Sequence, residues 1–308
     1  MTEETCIALG DWGTTRLRLF LVKHAAIQDH LEGPGIGALV ERPIDALRRS
    51  LAPWLKDTAI TRVVLCGMAG SRNGLVEIPY LPAPAELHDW LRDQAQFSAH
   101  GLDVTIAPGV SGKNAWGAPD VMRGEETQIF GAMQAEPALA RGRQLLVLPG
   151  THSKWVHLDD GIIAGFTTFI TGELFALLRN HSTLLRTGNS QEDAEGGFDA
   201  GLRRGQDCGT GLAAALFETR SAQILTGRSQ GWGANFLSGL LIGAEVRAAL
   251  ERYPMDQSVT IIGDPQLTAL YRHSLAPYCG STHELDGDRC AIAGLQLLAQ
   301  FSRQRPAI

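Results

Sequence analysis

The chain has 308 residues, 44% of them hydrophobic and 19% charged, with a formal net charge of −6. That length predicts two domains of ordinary size, and the composition is that of a globular protein with apolar material for two cores. The acidic balance argues against nucleic acid or an anionic membrane as the main partner, and five scattered cysteines without a C-x-x-C pair exclude a zinc site or a disulfide framework.

At the N-terminus, "MTEETCIALG" carries two glutamates and no basic run, so no signal peptide is expected. No window approaches the roughly 18 apolar residues that a membrane span requires. A cytoplasmic protein with reduced thiols is the expectation. The first elements are two apolar runs, "CIALGD" and "RLRLFLV", joined by a glycine turn. Leu17, Leu19 and Leu21 recur at strand period. A third strand is expected near 24–32, then apolar residues at helical spacing through "GALVERPIDALRRSLAPWL", interrupted by Pro43 and Pro53. "RVVLCGM" reads as a buried parallel strand, "ELHDWLRDQAQF" as a helix and "LDVTIAPG" as another strand. The stretch "GVSGKNAWGAPDVMRGEE" reads as the crossover between domains, leading into the helix "EETQIFGAMQA".

The second half repeats this order. "RQLLVLPGTHSKWVHLDDGIIAGFTTFI" predicts three strands and "GELFALLRNH" a helix. The polar, glycine-rich residues 187–211 are expected to be a surface insertion. A long helix "ANFLSGLLIGAEVRAALERY", the strand "SVTIIGD", the helix "PQLTALYRHSLA", a short strand at "THELD" and a closing helix follow. Each half thus reads βββαβαβα, which predicts an α/β protein with two similar mixed sheets flanked by helices.

The two opening turns carry the chemistry. Gly13-Thr14-Thr15-Arg16 stands opposite Gly150-Thr151-His152-Ser153-Lys154, each after an apolar strand and before an alternating one. Glycine lets main-chain N–H groups approach an anion. The hydroxyls add donors, and Arg16 and Lys154 add charge. Two such hairpins would clamp a triphosphate, and Asp11 beside the first would hold Mg²⁺ directly or through water. A single such turn is more often a plain turn, but its recurrence in both halves favours phosphate. The run "GPGIG" at 33–37 lacks the G-x-G-x-x-G spacing of a dinucleotide loop and is set aside.

In "DWGTTRLR", "GMAGSRNGLVEIPYLPAP", "PDVMRGEETQIFGA", "LPGTHSKWV", "TGELFALLRNHSTL" and "GANFLSGLLIGAE" the chain resembles the actin, sugar-kinase and Hsp70 superfamily. Within it, the match is to the 2-dehydro-3-deoxygalactonokinase family. The motifs span almost the whole chain; the hairpins are general to the superfamily, the others more specific. Leu75 stands where the family's pattern has tryptophan, a departure that bears on the packing of the substrate loop.

The resemblance implies two RNase-H-like domains with an active-site cleft between them: residues 1–123 with the substrate loop, and 124–308 with the crossover helix and the nucleotide. It implies transfer of the γ-phosphate of ATP, with Mg²⁺, to the 6-hydroxyl of 2-dehydro-3-deoxy-D-galactonate. The general base is then Glu126, with Asp11, Glu125 and Asp120 as alternatives, although "GEE" also suits a helix N-terminus. Arg72 is the first candidate for the substrate carboxylate, Arg123 and Arg179 the next. Ser71, Asn73 and Glu125 complete the substrate set, and Asn73-Gly74 is also a turn signal. His152 would donate to phosphate or brace its turn. Gly263 and Asp264 would meet adenosine, and Asp264 is also a natural helix cap. A hexose or pantothenate kinase shares the hairpins, and a neutral hexose would not need the cation at Arg72; a nucleotide-binding regulator is the reading from another class. Homo-oligomerisation is left open.

Overall fold

The structure is a computed structural model that describes residues 6–57, 60–186, 195–254 and 258–304. The chain divides into two units. The first takes the described part of Met1–Gln144 with His157–Phe166 and Leu285–Ile308; the second takes Leu145–Val156 and Thr167–Glu284.

In the first unit, β1 (Ile7–Trp12) is apolar apart from Asp11 near its end and lies at the centre of a six-stranded sheet. β2 (Arg16–Lys23) pairs with it antiparallel, Trp12 opposite Leu17, and β3 (Ala26–Pro34) continues outward. The alternation in β2 sends Leu17, Leu19 and Leu21 into the core, against α1 (Pro43–Asp57). Pro43 opens that helix, a position that needs no N–H donor. β4 (Arg62–Gly67) lies parallel to β1 on its other side.

After the two-residue strand β5 (Leu81–Pro82) comes α2 (Leu87–Arg92), shorter than the helix expected there. Residues Ala95–Ala99 are instead strand β6, antiparallel to β7 (Leu102–Ile106) at the sheet edge. Phe97 packs on the core from that strand, so tertiary pairing overrides the local helical pattern. The sheet order is β3-β2-β1-β4-β7-β6.

The expected crossover connection is likewise structured. β8 (Val110–Lys113) and β9 (Pro119–Met122) form a hairpin that joins β5 in a small sheet. Its turn is closed by Asn114, whose Oδ1 accepts from the N–H groups of Trp116 and Ala118. α3 (Glu125–Ala135) follows.

β10 (Arg143–Leu148), β11 (Ser153–Asp159) and β12 (Ile162–Phe169) open the second sheet, followed by α4 (Thr171–His181). Of the expected surface insertion, 187–194 lie outside the described residues. The rest is no insertion: α5 (Gly197–Asp207) is a core-facing helix, followed by α6 (Leu212–Thr226) and α7 (Gln230–Leu250). α5 and α7 cross at contact distance, because a methyl group on Gly201 would lie 2.0 Å from the Phe236 carbonyl oxygen and one on Gly239 2.1 Å from that of Phe198. The glycines of α7 therefore serve packing. β13 (Val259–Gly263) pairs parallel with β10, and α8 (Pro265–Leu275) and β14 (Thr282–Asp286) complete the order β12-β11-β10-β13-β14. The last helix, α9 (Gly287–Gln304), belongs to the first unit. Both large sheets therefore start from the same three-stranded meander with a parallel strand added beside its first strand. No helix among the described residues is long and apolar enough to cross a membrane.

Candidate active site

The first hairpin turn is closed by the Gly13 N–H donating to the Arg16 carbonyl at 2.9 Å, and Thr14, Thr15 and Arg16 are exposed at its tip. Behind it lies the run set aside in the sequence. Gly35 donates its N–H to Thr15, Ile36 to Gly13 and Gly37 to Thr14. A methyl group on Gly35 would sit 2.3 Å from the Thr14 carbonyl oxygen, so only glycine lets the two segments meet. "GPGIG" is the seat of the hairpin. No local pattern announces that role, because it depends on a contact some twenty residues away.

Asp11, at the end of β1, forms an ion pair with Arg18, which reaches across to Asp288 at the start of α9. The Cys66 thiol lies 3.7 Å from Asp11 Oδ1. Burial pushes that thiol up, and the neighbouring Asp11 and Glu126 carboxylates add to the shift. Glu126 is fully buried. Both of its oxygens accept from the Gly124 N–H, at 3.0 and 2.8 Å, and Oε1 also accepts from the Thr127 hydroxyl. Burial first, then Glu125, raises the Glu126 carboxyl to about 8. Glu125 accepts from the Arg123 N–H at 3.0 Å. Both glutamates thus turn back onto the main chain at the start of α3, the arrangement that the helix N-terminus favours. Asp120 lies in β9, its carboxylate accepting from the Val121 N–H. The fold gathers Asp11, Cys66 and Glu126 into one neighbourhood.

In the substrate loop, a single 3-10 turn at Met68–Gly70 follows β4. Arg72 and Asn73 are exposed, and Gly74 closes the Asn-Gly turn by donating to the Ser71 carbonyl. Leu75 packs on the core of the first unit. Arg123 is anchored beneath this loop: Nη2 donates to the Ile78 carbonyl at 2.8 Å, and the guanidinium stacks 4.1 Å from the centroid of the Tyr80 ring. Its Nε and Nη1, and the Ser71 hydroxyl, are buried without a hydrogen-bond partner. Leaving such groups unmatched costs about 1–3 kcal/mol each, more for charged ones, so this is where a bound acceptor gains most. Tyr80 lies in the motif "EIPYLPAP", but nothing in that motif pairs it with Arg123.

In the second hairpin, Thr151 and His152 are exposed, whereas Ser153 and Lys154 are buried. Ser153 donates its hydroxyl to Glu245 at 2.7 Å, so that hydroxyl is used inside the fold. The N-terminus of α4 backs the turn. The Glu173 N–H donates to the Thr151 carbonyl at 2.9 Å, His152 Nε2 lies 2.5 Å from the Glu173 carboxylate, and a methyl group on Gly172 would lie 2.2 Å from the Gly150 carbonyl oxygen. His152 thus braces the turn. Arg179, near the end of α4, lies against the Phe175 ring at 5.9 Å. Glu245 went unnoticed in the sequence; the signal was a lone carboxylate in the otherwise apolar run "SGLLIGAEV".

Gly263 ends β13, and Asp264 caps α8, its Oδ1 accepting from the Gln266 N–H at 2.9 Å. Among the described residues, no group of three or more His, Cys, Asp or Glu side chains is arranged to hold a metal ion. Asp11, expected to meet Mg²⁺, is paired with Arg18.

Known proteins match this chain over most of its length. The family model for 2-keto-3-deoxy-galactonokinase matches residues 11–298. The 2-dehydro-3-deoxygalactonokinase of Escherichia coli strain K12 is 33% identical over 301 residues, covering 94% of this chain and 96% of the relative. A crystal structure of a candidate 2-dehydro-3-deoxygalactonokinase from Sinorhizobium meliloti is 31% identical, with a TM-score of 0.81 over 96% of this chain and 98% of that one. The activator of 2-hydroxyisocaproyl-CoA dehydratase from Clostridium difficile, crystallised with ADPNP, shares the fold at 11% identity and a TM-score of 0.50, with 99% of each chain covered. The motifs around both hairpins, the substrate loop and α3 all fall inside the matched span, and the chain belongs to the 2-keto-3-deoxy-galactonokinase family.

Proposed function

We propose that this kinase transfers the γ-phosphoryl group of ATP to the 6-hydroxyl of 2-dehydro-3-deoxy-D-galactonate, releasing ADP and the 6-phosphate. The observation that carries the reading is the pair of glycine–hydroxyl hairpins, each with an exposed tip and each seated on a glycine that admits no side chain. Rigid seating suits phosphoryl transfer, where positioning and charge placement do most of the catalytic work. In this reading Gly13, Thr14, Thr15 and Arg16 face phosphate from residues 1–123. Gly150, Thr151, His152 and Lys154, with Gly263 and Asp264 toward adenosine, serve the nucleotide from 124–308.

Asp11 would hold Mg²⁺, which neutralises phosphate charge when bound. Glu126 takes the acceptor's proton as its oxygen bonds to the γ-phosphorus and the bond to the β-phosphate oxygen breaks. A carboxyl raised to about 8 suits that exchange near neutral pH. The substrate's own carboxylate meets Arg123 and Ser71, whose buried donors lack partners, with the exposed Arg72 and Asn73 at the loop surface. The chain acts in the cytoplasm on small molecules, alone or as a homo-oligomer.

The test is a coupled ADP-release assay with ATP and Mg²⁺ against 2-dehydro-3-deoxygalactonate, its gluconate epimer, a hexose and pantothenate. Turnover confined to the keto-acids supports the reading. Turnover on the hexose or pantothenate would overturn the substrate, and ADP release independent of any acceptor would overturn the reaction.

A further inference from the structure

Glu245 is a buried carboxylate of the second unit that accepts four side-chain hydrogen bonds. It sits on α7 at 3% exposure and takes four donors from three other elements. Ser153 Oγ and Trp155 Nε1 reach it from β11, both at 2.7 Å; the Tyr271 hydroxyl reaches it from α8 at 2.8 Å; and the Thr171 hydroxyl reaches it from the first residue of α4. Burial raises its carboxyl while all four donors pull it down. A buried carboxylate is tolerated only when its lone pairs are filled in this way.

The four donors are not scattered. Ser153 begins the strand that leaves the second hairpin, and Trp155 is the next residue on the same face. Thr171 opens the helix whose next two residues grip the tip, Gly172 against Gly150 and Glu173 on Thr151 and His152. Tyr271 lies on the helix that Asp264 caps. One carboxylate therefore ties together the downstream leg of the hairpin, the helix that seats its tip and the helix that follows Gly263.

We propose that Glu245 is a positioning residue for nucleotide binding, setting the second hairpin and the start of α8 in one geometry. The inference rests on the reading that this hairpin binds the nucleotide. Removing the charge affects ATP and not the sugar acid, because the substrate loop belongs to the other unit. An amide at this position keeps one accepting oxygen for Ser153 and Trp155 but turns an NH2 group toward the Thr171 and Tyr271 hydroxyls, which must then accept instead of donating and lose their bonds to a charged acceptor.

The test measures Kd for ADPNP with Mg²⁺ by calorimetry, and both KM values, in the wild type, Glu245→Gln, Thr171→Val and Ser153→Ala, with thermal unfolding alongside. The expected result is at least a tenfold weaker ADPNP Kd and a matching rise in KM for ATP in Glu245→Gln. KM for the sugar acid stays within about twofold, and threefold to tenfold effects on ADPNP follow in the two single-arm variants. Should Glu245→Gln fail to fold, the single-arm variants decide the matter by the same split. Wild-type ADPNP affinity in the folded variants, with only a lowered melting temperature, would overturn the inference while leaving the nucleotide reading intact. A wild-type protein that turns over ATP but whose nucleotide site tolerates Gly150→Val and Thr151→Val would instead overturn the reading beneath it.

Discussion

Gly35 lies so close to Thr14 that a side chain of a single methyl group would stand 2.3 Å from the Thr14 carbonyl oxygen, with main-chain atoms of Thr15 and Arg16 as near. The neighbours are backbone, so nothing flexible can yield. Gly35→Ala must push the first hairpin off its seat. Overpacking of this kind costs about 1–3 kcal/mol, and we expect that loss in urea titration together with a fall in kcat well beyond what the lost stability explains. An Ala variant with wild-type kcat would remove the case for a rigidly seated first hairpin.

Arg18 supplies charge to Asp11 and Asp288 together and is largely shielded from water. Arg18→Met keeps the bulk of the stem and removes both ion pairs. Asp288 is about half exposed and contributes little, so the effect comes chiefly through Asp11. The expected outcome is a loss of about 1–3 kcal/mol, in the range for a partly buried pair broken from one side, and an altered Mg²⁺ concentration for half-maximal activity. An unchanged Mg²⁺ dependence would separate Asp11 from metal binding.

The pH dependence of stability follows from Glu126. Its carboxyl titrates near the ordinary glutamate range when unfolded and at about 8 when folded. Below the unfolded value both states hold the proton and its contribution is complete. Between the two values only the folded state holds it, so stability falls as pH rises, by up to about 1.4 kcal/mol per pH unit, and levels off above 8. Glu245, also raised, acts in the same direction. Glu126→Gln should flatten most of the slope between pH 5 and 8 in denaturant titrations. The same variant should lose the rise in kcat toward pH 8 if Glu126 takes the acceptor's proton.

The two candidate carboxylate-binding arginines are separable by kinetics. Arg123→Lys keeps the charge but loses the fork and the stacking on Tyr80, and is expected to raise KM for the keto-acid by roughly tenfold or more, as loss of a charged hydrogen bond does. KM for ATP should be unmoved. Arg72→Ala, from an exposed position, should shift KM for the keto-acid by less than threefold. The reverse ranking would return the carboxylate to Arg72.

Much of the fold was legible because its signals are local. The alternation of Leu17, Leu19 and Leu21 gives β2, the Asp264-Pro265 pair marks the start of α8, and the glycine turns mark both hairpins. What escaped was set by distant partners. Residues 95–99 continue a helical pattern but pair with β7, and 110–122 read as a linker because its hairpin depends on a two-residue strand thirty residues earlier. The glycine-rich 197–207 looked like a surface loop since its glycines matter only against those of α7. At the site, composition named the hairpin tips and the acidic pair that opens α3. It gave no sign that Ser153 faces inward to Glu245, nor that "GPGIG" holds the first turn, because both are tertiary contacts between residues with no shared motif.

In the proposed reaction the primary alcohol of a six-carbon keto-acid receives the phosphoryl group. Phosphorus NMR of the product from ATP, Mg²⁺ and 2-dehydro-3-deoxy-D-galactonate tests it directly. The expected spectrum shows a new phosphomonoester signal split by the two protons of a methylene group, growing in step with ADP. A signal coupled to one proton, or ADP formed with inorganic phosphate alone, would contradict it.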